Sequence, residues 1–295
     1  MTASSRWART FGPVLLLIAA MISMQCGAAF AKGLFPAVGA QGVAALRLGF
    51  SALMLGLVMR PWRGLRWDRR LAPLIAYGLS LGAMNTLFYM ALVTVPLGIA
   101  IALEFVGPLA VAIIGSRRPR DMVWVAVALA GWLMLAPLGH VNAIDPKGGL
   151  LALGSGGCWA LYIIFGRRAG LDHGARATAL GMAAAAAVFV PLGLARVGPA
   201  LFAPAILPAA IILAFLSSAL PYSLEMFALT RLPTRVFGTL MSLEPAIGSL
   251  AGLVLLGESP SPLQWLGISA VMLASVGTAV TARADKPSPA ALTPN

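Results

Sequence analysis

Residues 91–96 read ALVTVP and residues 228–233 read ALTRLP. The strings stand 137 positions apart, and at that offset Ser80 also meets Ser217 and Pro108 meets Pro245. At an offset of 135, Gly39 and Ala40 meet Gly174 and Ala175, and Lys32 meets Arg167. A chain of 295 residues that resembles itself at about 140 positions reads as two copies of one unit.

The composition says where those copies sit. Hydrophobic residues make up 60% of the chain and charged ones 10%, against roughly 25% charged in a soluble domain. Apolar runs of about 20 residues recur along the whole length, each able to cross a hydrocarbon core of roughly 30 Å as a helix. Reading them between charged, proline and glycine punctuation predicts spans near 11–31, 39–59, 71–92, 97–115, 121–138, 148–166, 175–194, 204–227, 234–256 and 262–281. Pro96 and Pro233 break the two tightest junctions, at Val93–Pro96 and Arg231–Pro233. The first run follows a basic start, as a signal peptide does, but it is span-sized and is read as a retained helix. Each copy then holds five spans. Five is odd, so the copies enter the membrane in opposite directions. The expected fold is an all-α membrane protein of ten transmembrane helices arranged as two inverted five-helix repeats, 11–138 and 148–281, with tails 1–10 and 282–295.

The net charge of +12 lies between the spans, which points to lipid and away from nucleic acid. One set of loops and tails carries Arg6, Arg9, Arg60, Arg63, Arg66, Arg69, Arg70, Arg117, Arg118, Arg120, Arg167, Arg168, Arg176, Arg231, Arg235, Arg283 and Lys286. The alternate loops carry only Lys32, Lys147 and Arg196. The positive-inside rule therefore puts both termini in the cytoplasm of a multi-pass inner-membrane protein. Cys26 and Cys158 fall inside spans and read as small packing residues, with no disulfide framework or zinc site. The string GLSLG, Gly78–Gly82, fits the G-x-S-x-G pattern of serine hydrolases. That pattern needs a strand-to-helix elbow and a histidine base, whereas Ser80 is mid-span and His140 and His173 fall in loops on opposite sides. With no phosphate loop or metal-ligand cluster either, no enzyme, cofactor or metal is expected.

Four ionisable residues lie inside predicted spans: Arg47, Glu104, Glu225 and Glu244. Each alone would cost about 2.5–3.5 kcal/mol at a helix centre, so partners or a wet cavity are required. Two readings stand: an Arg47–carboxylate pair that locks helices, or a central cavity in which a carboxylate binds an ammonium or takes up a proton. Glu104 in IALEFVGPLAV and Glu244 in LMSLEPAIGSL each precede a proline that frees a carbonyl inside the membrane. They share a span of the repeat without aligning, since Glu104 meets Met241 and Glu244 meets Gly107. Glu225 in PYSLEMFAL is a further candidate for the site, with a place near the cytoplasmic boundary, close to Arg231, as its alternative. Tyr77, Asn85, Tyr89, Trp159, Tyr162 and Tyr222 could complete a site through polar contacts or cation–π attraction, or serve as packing and interfacial anchors. Gly27, Gly154, Gly156 and Gly157 read as close-packing positions.

The segments VPLGIAIALEFVGPLAVA (95–112), GSGGCWALYIIFGRRAG (154–170) and ALPYSLEMFALTRLPTRVFGTLMSLEPA (219–246) together resemble the threonine/homoserine exporter branch of the drug/metabolite transporter superfamily, with its paired EamA-type repeats. The resemblance implies efflux of threonine and homoserine, with related amino acids, driven by proton entry. It suggests a cavity between helices one to four and six to nine, with helices five and ten outside. The substrate carboxylate would face Arg47 or a broken-helix N-terminus, the ammonium a carboxylate or aromatic face, and the hydroxyl Asn85 or a tyrosine. A different cargo on the same scaffold, such as another amino acid, a purine or a drug, is the rival reading; an intramembrane enzyme or scaffold is the remote one.

Overall fold

In the computed structural model the described residues are 3–62, 71–115, 121–135, 145–174, 176–229, 231–232 and 234–281, and every regular element among them is helical. The helices are α1 (Ala3–Met59), α2 (Leu71–Ala91), α3 (Leu97–Glu104), α4 (Val106–Gly115), α5 (Asp121–Leu135), α6 (Pro146–His173) and α7 (Arg176–Val197). After a 3₁₀ turn at Gly198–Phe202 come α8 (Leu207–Ala214), a π turn at Phe215–Ala219, α9 (Leu220–Leu229), α10 (Thr234–Met241), α11 (Glu244–Leu256) and α12 (Pro262–Thr281). Five helical stretches are long and apolar enough to cross a membrane: Gly12–Met59, Leu71–Ala91, Pro146–His173, Arg176–Phe202 and Thr239–Leu256. Shorter apolar helices at Leu97–Val111, Met122–Leu135, Leu207–Tyr222 and Pro262–Gly277 accompany them.

Residues matched in the sequence take matching local structure. Gly39 kinks α1 at φ +65°, and Gly174 ends α6 at φ +60°, a left-handed conformation that glycine adopts without a Cβ penalty. In ALVTVP the N–H groups of Thr94 and Val95 both donate to Ala91 O, at 3.1 and 2.9 Å; in ALTRLP those of Arg231 and Leu232 both donate to Ala228 O, at 3.0 and 2.8 Å. Ser80 and Ser217 each turn their hydroxyl back onto the carbonyl four residues earlier, Ala76 O and Leu213 O, at 2.7 Å. Ser80 is thus a mid-helix residue of α2, far from any hydrolase elbow.

Packing crosses between the two halves of the chain. α2 lies along α6 and α7; α1 lies along α7 and along the α8–π–α9 run; α3 meets α11, and α5 pairs with α12. Glycines bring backbones together: a Cβ on Gly107 would strike Gly156 O, and one on Gly156 would strike Glu104 O. Outward-facing side chains are apolar and exposed, including Leu53 (61%), Val58 (82%) and Val254 (77%), as a lipid-facing surface requires.

Two runs break midway, between α3 and α4 at Phe105 and between α10 and α11 at Ser242–Leu243. Pro108 and Pro245 follow the breaks, and neither can donate to the carbonyl four residues back. α6 continues to His173, beyond the expected end at 166, so His173 is helical rather than in a loop. Arg63, Arg66, Arg69, Arg70, Arg117, Arg118, Arg120, His140, Ala175, Arg283 and Lys286 lie outside the described residues.

Candidate functional site

The broken helices face one another across a cavity of about 220 Å³. α1 contributes Met24, Gln25, Ala28 and Arg47; α2 contributes Met84, Asn85 and Phe88; α3 contributes Ile101 and Glu104; α6 contributes Trp159 and Tyr162. Tyr222 and Glu225 come from α9, Phe237 and Met241 from α10, and Glu244 from the first position of α11. One guanidinium and three carboxyl groups therefore share a hollow whose remaining wall is mostly apolar. α5, α7 and α12 contribute no lining residue; α7 instead meets α1 and α2 closely, with Gly181 against the Tyr77 ring and Gly193 against Ala45.

Arg47 is 7% exposed and is held on two sides. Its Nη1 donates to Tyr89 Oη at 3.2 Å and its Nη2 to Ser217 O at 2.9 Å, and the guanidinium carbon lies 5.6 Å from the Tyr89 ring centroid. Ser217 lies in the π turn, where the carbonyl ladder is out of α register and can serve an outside donor. Of the two readings for Arg47, the carboxylate lock is not the arrangement seen: the guanidinium's hydrogen-bond partners are Tyr89 and Ser217. Arg47 is thus fixed in place by neutral acceptors and keeps its charge toward the cavity.

The carboxylates differ. Glu104 ends α3, and its Oε1 is hydrogen-bonded to Ser155, whose hydroxyl also lies 2.8 Å from Met84 O. Glu244 Oε1 accepts from Gln25 Nε2 at 3.1 Å, while its Oε2 is buried without a hydrogen-bond partner among the described residues. Glu225 is half-buried and beside Tyr222 in the lining.

The turn before α3 and the start of α3 are tightly packed. Leu92, Val95, Leu97, Ile99 and Ala100 are wholly buried there, and Lys32 Nζ meets Glu258 Oε1 at 2.6 Å. Among the lining residues, Tyr222, Glu225 and Phe237 are partly covered.

Comparison with known proteins agrees with this architecture. The EamA-like transporter family model matches residues 146–280. The threonine/homoserine exporter RhtA of Escherichia coli strain K12 is 53% identical over 276 residues, covering 92% of this chain and 93% of that protein. The chain belongs to the EamA-like transporter family. The protein of the same name from Salmonella typhimurium strain LT2 is 52% identical over 288 residues, covering 97% of each. A solved structure titled "Crystal structure of protein" superposes with a TM-score of 0.57 at 18% identity, covering 92% of this chain and 96% of that one, and so shares the fold. As an EamA-like transporter this is a multi-pass membrane protein and a carrier rather than an enzyme.

In this EamA-like cavity Arg47, Asn85, Glu104, Trp159, Tyr162, Tyr222, Glu225 and Glu244 all line the hollow. Tyr77 and Tyr89 stand one layer behind it. Tyr89 is fully buried under Arg47, and the Tyr77 ring lies 4.8 Å from that of Tyr162 with their hydroxyls 3.5 Å apart. Asn85 donates one of its two amide N–H groups to Leu81 O at 2.8 Å. Gln25 and Ser155 are absent from the sequence reading although each holds a carboxylate. The available signal was a lone amide in MISMQCGAAF and a lone hydroxyl amid glycines in LGSGGC.

Proposed function

We propose that this chain exports threonine and homoserine across the bacterial inner membrane by alternating access, coupled to proton entry. The observation that carries the reading is the joint presence, in a chain over half identical to named threonine/homoserine exporters, of one cavity holding Arg47 opposite three carboxyl groups. A zwitterion matches that charge pattern. Its carboxylate takes the guanidinium through a charge-assisted bond, its ammonium takes a carboxylate or the Trp159 or Tyr222 face, and its hydroxyl takes Asn85 or a tyrosine. A cavity carboxylate that gives up the ammonium and accepts a proton returns the carrier, which couples export to proton entry.

The architecture in this reading is ten transmembrane helices in two oppositely inserted repeats, 11–138 and 148–281, with tails 1–10 and 282–295 in the cytoplasm. The kink at Gly39 and the turns at Thr94 and Arg231 support it, because they divide the runs at repeat-equivalent positions. The reciprocal packing of α2 on α6 and of α1 on the α8–π–α9 run supports a pseudo-two-fold axis. In that orientation the Lys32–Glu258 end faces outward, and the resting carrier opens to the cytoplasm. The same scaffold with another cargo is distinguished by growth. Cells expressing this chain should survive inhibitory homoserine and threonine analogues and gain nothing against purines or drugs; the reverse pattern contradicts the assignment.

A further inference from the structure

We propose that Glu244, oriented by Gln25, is the seat of the substrate's ammonium group. This deepens the amino-acid export reading above and rests on it.

Hydrogen-bond accounting separates the two carboxylates at the helix breaks. Ser155 carries one hydroxyl proton and has two acceptors in reach, Met84 O and Glu104 Oε1. A proton on Glu104 would satisfy Ser155, Met84 O and Glu104 Oε1 at once, so the Oε1 contact is complete without a ligand. Glu244 is not complete. Its Oε1 is claimed by Gln25, and its Oε2 has no partner among the described residues, inside a residue that is 5% exposed. A buried acceptor that no protein group satisfies costs about 1–3 kcal/mol, more when charged, unless something else arrives. Glu244 lines the cavity, and that something would enter from there.

Geometry gives Gln25 its part. Its amide donates across the helix interface to one carboxylate oxygen, over a sequence separation of 219 residues, which fixes the rotation of the Glu244 head and leaves Oε2 for the ligand. Glu244 also opens α11, so its backbone ties the carboxylate to the helix break. Gln25 touches the carboxylate and not the transported molecule's charge, which makes it a positioning residue. The cation in the lining, Arg47, is already held by Tyr89 and Ser217, so it does not neutralise Glu244 and remains for the substrate carboxylate.

The test compares threonine with its des-amino analogue, 3-hydroxybutyrate, as competitors of labelled threonine transport by purified protein in liposomes. Wild type should be inhibited far better by threonine. Glu244→Gln should raise the KM for threonine about tenfold or more, the fold-change of losing a charge-assisted hydrogen bond, and should narrow the preference over 3-hydroxybutyrate. Gln25→Met, which keeps the side-chain length without the donor, should raise KM severalfold with Vmax retained and narrow the same preference; Gln25→His, which restores a donor, should recover part of it. A merely structural role would lower Vmax and leave the preference intact. The proposal is overturned if Glu244→Gln keeps the wild-type preference, or if Glu104→Gln alone abolishes it. Wild type that moves no threonine at all would instead defeat the export reading.

Discussion

Lys32 Nζ lies 2.6 Å from Glu258 Oε1, and the second oxygen of Glu258 accepts the backbone N–H of Leu97 at 2.7 Å. One side chain thereby joins α1, the start of α3 and the segment after α11. Ala28 and Ile101 of the cavity wall each lie four residues, about one helical turn, from these contacts. The cluster ties these three segments together about one turn from the cavity wall.

Because Glu258 makes both bonds, its loss should cost more than that of its partner. Glu258→Ala should destabilise the detergent-solubilised protein by about 1–3 kcal/mol, and Lys32→Met by about 1 kcal/mol or less, as for a partly exposed pair. Thermal melts of both variants check this order; equal effects would show that the Leu97 cap contributes nothing.

Asp145 makes a second polar contact near the start of α6. Its carboxylate accepts from Gly148 N at 3.0 Å and from Thr94 Oγ1 at 3.0 Å, and the Gly148 N–H, then the Thr94 hydroxyl, hold its pKa below the usual aspartate range. A folded-state value below the unfolded one adds stability above the ordinary carboxylate range, about 3.9, and that stability is lost as pH falls through the folded value. Asp145→Asn should melt below wild type at neutral pH, with the two curves converging on acidification.

Neighbouring glycines in α6 should answer differently to the same substitution. A Cβ on Gly156 would meet the Glu104 backbone, whereas one on Gly157 meets open space. Gly156→Ala should cost about 1–3 kcal/mol as overpacking and displace Glu104, sharply reducing transport. Gly157→Ala should be neutral or slightly stabilising. Melting temperatures and transport rates of the pair decide it.

Arg47→Lys should fail as a substitute. A lysine ammonium cannot span the separated acceptors Tyr89 Oη and Ser217 O while also presenting a planar fork to a carboxylate. Transport should fall at least tenfold, while Tyr89→Phe, which removes one acceptor and keeps the ring, should lose only a fewfold. Vesicle uptake of labelled threonine measures both.

Much of this fold was legible because membrane burial leaves coarse marks: long apolar runs, prolines at 96 and 233 that cannot continue a helix, and a period that repeats them. The charged residues of the cavity were legible for the same reason, since lipid tolerates none of them without cause. The π turn at Phe215–Ala219 was not, because FLSSA contains neither glycine nor proline and reads as uninterrupted helix. Gln25 and Ser155 escaped because uncharged polar groups are cheap enough within a span to be passed over. For Tyr77 and Tyr89, which by residue type could complete a site or pack, the structure gives positions behind the wall. In helices apolar on every side, residue type does not reveal which face meets the hollow.

The central claim is that the cavity passes threonine and homoserine outward, and uptake of labelled threonine into inverted membrane vesicles tests it most directly. The account predicts accumulation above vector controls, competition by unlabelled homoserine, stimulation when protons are more concentrated inside the vesicle, and about tenfold weaker uptake by Glu244→Gln at low threonine concentration. Vesicles rich in folded protein that accumulate neither amino acid under any imposed gradient would contradict it.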